Sequence, residues 1–102
     1  MRRISCFILF LGATGAALAS PAITAGVDGS SFIVRATNSE DRGYNCHIDY
    51  TLNYVQYDVP GSQNYHDDFF VKAGTNNGVV VFNQTTWAAS TLTASGVHWS
   101  CN

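Results

Sequence analysis

The chain has 102 residues, 46% of them apolar and only 12% charged, with three cysteines and a formal charge of −2. That length suits one domain and not two. Five Lys and Arg residues with no basic cluster leave nothing to neutralise a phosphate backbone, which excludes nucleic acid as a partner.

In chain order, Arg2 and Arg3 precede an apolar stretch, Ile4 to Leu18, which closes on Ala17-Leu18-Ala19. A positive start, an apolar middle and small residues at the cleavage positions are the plan of a helical secretory signal peptide over 1–19, cut after Ala19. The apolar run falls short of the roughly 20 residues a spanning helix needs. Cys6 lies inside the segment and leaves with it. The paired arginines lack the longer polar n-region of a twin-arginine leader, so the ordinary secretory route is expected. Removal of 19 residues leaves 83, in which Arg35, Arg42 and Lys72 face seven carboxylates for a net charge of −4. No later apolar run approaches membrane-spanning length, so no membrane association is expected after cleavage. The product is expected in the periplasm or outside the cell.

Residues 20–30 carry little pattern and read as a flexible N-terminal lead to a domain over 31–102. Ser31 to Asn38 alternates Phe32, Val34 and Ala36 against Ile33, Arg35 and Thr37, a first strand. The polar turn Asn38 to Gly43 then joins it, as a hairpin, to the clearest element of the chain. From Tyr44 to Tyr54 every second residue is apolar or aromatic (Tyr44, Cys46, Ile48, Tyr50, Leu52, Tyr54) and every residue between is polar. This period of two describes a long strand with one face on a core and the other in water. Pro60-Gly61 marks a turn. A third strand is expected over about 68–73, and Val79 to Phe82 reads as a strand buried on both sides. Trp87 to Thr93 is a weak strand or an irregular crossing, and Val97 to Cys101 is the last strand. Short strands with regular turn signals and no helix in the mature chain predict an all-β fold, a small antiparallel β-sandwich of about six or seven strands.

Once Cys6 is gone, only Cys46 and Cys101 remain. Cys46 sits on the apolar side of the long strand and Cys101 shares a side with Val97 and Trp99. In an oxidising compartment two inward cysteines should form a disulfide. Free thiols or a metal-bound pair are the alternatives, without a CxxC clip or Cys/His spacing to support them.

Three groups of residues invite a functional reading. His47 and Asp49 project to the same side of the long strand roughly 7 Å apart, and His98, also outward, approaches them if its strand is a neighbour. Such a cluster fits half of a nucleophilic relay or a metal-assisted site, although no nucleophile elbow accompanies it and polar residues are ordinary on a solvated sheet face. His66-Asp67-Asp68 reads as a solvated loop, since it lacks the alternate ligands and glycine of a calcium loop. Tyr57, Tyr65 and Trp87, at or near loops, form a possible platform for a sugar ring or a protein. Asn83-Gln84-Thr85 matches the glycosylation pattern, but the leader has a bacterial look and the match is incidental. No metal site and no cofactor are expected.

A cysteine on a long strand and a second near the C-terminus, each in an aromatic-x-Cys context (Tyr44-x-Cys46, Trp99-x-Cys101), resembles the immunoglobulin-type sandwich in outline. The resemblance covers strand count and disulfide span. It lacks the tryptophan that follows the first cysteine in that family, where this chain reads Asp58-Val59-Pro60-Gly61, so it carries over no functional residue. The chain also has the general look of small exported proteins of Gram-negative bacteria. Two functions follow as expectations. The first is a non-enzymatic binding module for a protein or glycan; the second is a small hydrolase or metal-dependent enzyme using His47, Asp49 and His98.

Overall fold

The computed structural model describes residues 20–102; the signal peptide expected over 1–19 lies outside the described residues. Six strands follow in order: β1 (Ala22–Asp28), β2 (Ser31–Thr37), β3 (Tyr44–Gln56), β4 (Val59–Val71), β5 (Gly78–Gln84) and β6 (Thr93–Cys101). They form two antiparallel three-stranded sheets, ordered β1-β2-β5 and β4-β3-β6. The all-β sandwich outline expected from the sequence is therefore present.

The period-two reading of the central strand holds from Tyr44 to Leu52 and fades at Asn53 and Tyr54, both half-buried. Tyr44, Cys46, Ile48, Tyr50 and Leu52 are buried, while Asn45, His47 and Asp49 are exposed. They pack against Phe32, Val34 and Ala36 of β2, which are also buried. The Phe32 and Tyr50 rings stack at 3.9 Å across the two sheets. Each fully buried aliphatic of this kind contributes about 1.5–3 kcal/mol, so β2 and β3 form the backbone of the core. At the edges β5 approaches β4 and β1 approaches β6.

Several local expectations are corrected. The segment read as a flexible lead holds β1, paired with β2 along its whole length from Ala22↔Thr37 to Asp28↔Ser31. Only Ile23 and Val27 reach the core, and the small Ala25 and Gly26 between them hide the alternation. Asn38 to Gly43 is a crossover between sheets and not a hairpin. Asn38, 1% exposed, anchors it: the side-chain amide donates to the carbonyls of Arg42, Val71 and Lys72, and its oxygen accepts from the Glu40 amide.

The turn after β3 also lies elsewhere. Gln56 pairs with Val59, leaving Tyr57 and Asp58 as a two-residue turn with both φ positive, 52° and 62°. This is the backbone of a type I′ hairpin, whose twist matches the flanking strands. Pro60 and Gly61 lie within β4, an edge strand, where a missing N–H is tolerated. The strand expected from residue 68 thus begins at Val59, and the polar run from Ser62 to Asp68 belongs to it.

Nor is Val79 to Phe82 buried on both sides. β5 is an edge strand, with Val79 48% and Phe82 59% exposed. Val34 pairs with Val81 and Arg35 with Val79, so Val80 is the extra residue of a β-bulge. The bulge lets Val80 and Val81 both pack on the core, which explains the uninterrupted apolar run. Between β5 and β6 the chain crosses irregularly through a 3₁₀ turn, Ala89–Thr91.

Cys46 and Cys101 are joined in a disulfide. Asn45 and Asn102 exchange both backbone hydrogen bonds, which makes the adjacent Cys46↔Cys101 a non-hydrogen-bonded pair, the closer-set position of an antiparallel ladder. The bond lies within one sheet. The corresponding bridge of an immunoglobulin domain joins two sheets, so the outline here extends to packed antiparallel sheets and no further.

Candidate polar face

The solvent side of β4-β3-β6 is set by register. His47 on β3 stands between Asp68 of β4 and Ser100 of β6, and Asp49 stands between His66 of β4 and His98 of β6. Thr51 lies opposite Asn64, and Asn53 opposite Ser62 and Thr93. Opposite neighbours in such a ladder have Cβ atoms about 4.5–5.5 Å apart, close enough for short polar side chains to bond. All three histidines of the chain therefore share one open face.

The contacts on this face are side chain to side chain. His66 Nδ1 lies 2.6 Å from Asp49 Oδ1, and its Nε2 lies 3.0 Å from Asp68 Oδ1. Ser100 Oγ lies 3.0 Å from His47 Nε2. The His47 and His66 rings face each other at 5.8 Å. Thr51 donates to Asn64 at 2.7 Å, and the Asn53 amide to Ser95 at 3.0 Å. The hydrogen bond that His66 donates to Asp49, with the Asp68 carboxylate adding to it, raises the His66 pKa above the ordinary histidine value.

The expected cluster of His47, Asp49 and His98 is thus brought onto neighbouring strands, with Asp49 and His98 in direct register. The carboxylate of Asp49, however, is engaged by His66 from the other side. His66-Asp67-Asp68, expected as a solvated loop, lies instead within β4. On a strand, His66-x-Asp68 puts both outward and turns Asp67 inward, where it accepts a hydrogen bond from Tyr50 at 2.7 Å. Burial first, and that bond second, push the Tyr50 phenol well above the ordinary tyrosine range.

A catalytic relay needs one histidine holding both a hydroxyl and a carboxylate. Here Ser100 is on His47 while Asp49 and Asp68 are on His66, so the two halves lie on different rings. Among the described residues no three His, Cys, Asp or Glu side chains converge so as to hold a metal ion. A hollow of about 490 Å³, open to solvent, is lined by Asn45, Cys46, His47, Asp68, Phe69 and Asn102.

The aromatic trio is not brought together. Trp87 stacks on Tyr54 at 3.8 Å, and Tyr65 on Tyr50 at 5.3 Å, both against the core. Tyr57 stands alone at the hairpin tip, 90% exposed. Asn83, within the glycosylation pattern, gives its amide to the Tyr50 hydroxyl at 3.0 Å. No described helix is long and apolar enough to cross a membrane. Compared with family models, with curated proteins and with solved structures, the chain matches none.

Proposed function

We propose that this is a small exported binding module, without catalytic activity, which recognises a protein through the solvent face of β4-β3-β6. One observation carries the reading: three neighbouring strands present His47, Asp49, His66, Asp68, His98 and Ser100 on a single open face. An uncleft face of fixed donors and acceptors suits a broad partner better than a small substrate, which is normally held in a concavity. A protein is favoured over a glycan because Tyr65 and Trp87, needed to stack sugar rings, are spent on the interior. The Cys46–Cys101 bond supports an oxidising, exported setting. The immunoglobulin outline adds packed sheets to this reading and no recognition residue.

The test is capture from the native extracytoplasmic fraction with wild-type protein and with an Asp49→Ala, His66→Ala variant, after equal melting temperatures show that both are folded. A partner retained by the first and lost by the second, then confirmed by direct titration, supports the face. Equal retention by both moves recognition elsewhere.

The hydrolase reading is kept alive by the Ser100–His47 contact alone. Its test is separate: a fluorophosphonate probe that labels Ser100 in wild type and not in a His47→Ala variant would establish an activated serine.

A further inference from the structure

His66 occupies an unusual position among the polar groups of this face. Both ring nitrogens point at carboxylates, Nδ1 at Asp49 and Nε2 at Asp68, at 2.6 and 3.0 Å. A neutral imidazole has one N–H and one bare nitrogen. In that form one of the two contacts would set a lone pair against a carboxylate oxygen. Only the imidazolium, with an N–H on each side, satisfies both. The two acids come from different places, Asp49 from β3 and Asp68 from two residues along β4, so the ring ties neighbouring strands as well as its own.

We propose that His66 is a proton-operated latch on the recognition face: protonated, it closes over Asp49 and Asp68 and masks their charge; deprotonated, it has one N–H left, lets go of at least one carboxylate, and leaves the charge of both unmasked to solvent and to a partner. The use of the latch in recognition rests on the binding reading above, whereas its operation belongs to the protein alone. His47 of β3 stacks on the ring; beyond β3, the strand β6 sets His98 opposite Asp49 and Ser100 on His47, and Asp67, between His66 and Asp68, turns to the interior. His66, Asp49 and Asp68 are 54%, 54% and 78% exposed, so the latch is screened by water and acts on the charge of the face more than on the stability of the fold. The direction of the His66 shift agrees: the carboxylates favour the charged ring, so the latch stays closed to a higher pH than an ordinary histidine stays charged, and opens as pH rises further.

The experiment is NMR on a His47→Gln, His98→Gln background, in which His66 is the only imidazole, from about pH 5.5, above the carboxylate range, to about pH 9. The His66 ring should titrate above the ordinary histidine midpoint, with the carboxyl carbons of Asp49 and Asp68 shifting at that same midpoint. Asp49→Asn and Asp68→Asn should each lower it, Asp49→Asn more. A positively charged nitroxide then reads the charge offered to a partner. Broadening of the amides of Asp49, His66 and Asp68 should rise as pH crosses the midpoint, and should be strong at every pH in a further His66→Gln variant. An ordinary midpoint, asparagine variants that leave it in place, or nitroxide broadening that ignores pH would each overturn the latch. No step uses the unidentified partner, so failure of the latch and failure of the binding reading give different results.

Discussion

The Tyr50 hydroxyl donates to the Asp67 carboxylate at 2.7 Å while accepting the Asn83 amide at 3.0 Å, so one phenol joins β3 and β4 to β5 of the opposing sheet. Tyr50 is 2% exposed and lies between the Phe32 and Tyr65 rings. Its polar end is thereby accommodated at the rim of an apolar core. Tyr50→Phe keeps the stack and strips both Asp67 and Asn83 of a partner, which should cost about 1–3 kcal/mol, read as a lower urea midpoint with an unchanged slope.

The same phenol sets an alkaline limit. Its pKa in the fold lies above that of the unfolded chain, so above about pH 10 the unfolded state releases a proton that the folded state retains. The stabilisation is fully present below that pH and is lost as pH rises beyond it. Wild type should lose stability between about pH 10 and 11 more steeply than Tyr50→Phe when urea midpoints are compared at each pH. Parallel curves would assign the alkaline loss to other groups.

Cys46 and Cys101 are 55 residues apart in sequence. A cross-link of that span removes chain entropy worth about 4 kcal/mol from the unfolded state. Reduction, or a Cys46→Ala, Cys101→Ala double variant, should lower the unfolding free energy by that order, a large part of the stability of so small a domain. The check is chemical denaturation with and without reductant, with the double variant insensitive to the difference.

Asn38 makes three donor contacts to carbonyls with one amide group and accepts the Glu40 amide with its oxygen. Asn38→Asp has the right shape and the wrong chemistry, since its carboxylate would face those carbonyls. Asn38→Asp should cost more than Asn38→Ala at neutral pH, and both should exceed about 2 kcal/mol because buried backbone groups lose their partners. Equal losses for the two would mean that the carbonyls find water.

Gly43 lies under the ring of Phe70, where an added Cβ would sit 2.1 Å from the ring carbon Cζ. Phe70 is 55% exposed, so Gly43→Ala should displace that ring at a cost of about 1 kcal/mol or less. Combined with Phe70→Ala, the loss should be less than the sum of the two single losses, because the clash disappears with the ring. Additive losses would place the strain in the backbone.

Tyr57 and Asp58 both hold positive φ, a conformation that costs a bulky side chain and that Asn-Gly adopts readily. Replacing the pair by Asn-Gly should raise stability by about 1 kcal/mol or more, seen as a higher melting temperature. The 90% exposed Tyr57 ring makes no packing contribution to offset that gain.

Much of the architecture is legible in local chemistry. The unbroken alternation from Tyr44 to Tyr54 identifies β3 and its inward face, because period two is a property of the strand itself. Cys46 and Cys101 fall on inward positions of their strands, so their pairing follows from the same pattern and the cysteine count. What escapes local reading is decided between strands. β1 is assembled by hydrogen bonds to β2, which Ala25 and Gly26 do not advertise. The start of β4 depends on a two-residue turn that forces Tyr57 and Asp58 into a conformation neither prefers, so Pro60-Gly61 draws the eye to the wrong place. Val80 disguises an edge strand as a buried one because a bulge breaks the period. The polar face follows the same logic. His47 and Asp49 are visible together because they share a strand, while His66, Asp68 and Ser100 join them only through the register of β4 and β6, a long-range choice made by the core face of each strand and carried through to its opposite side.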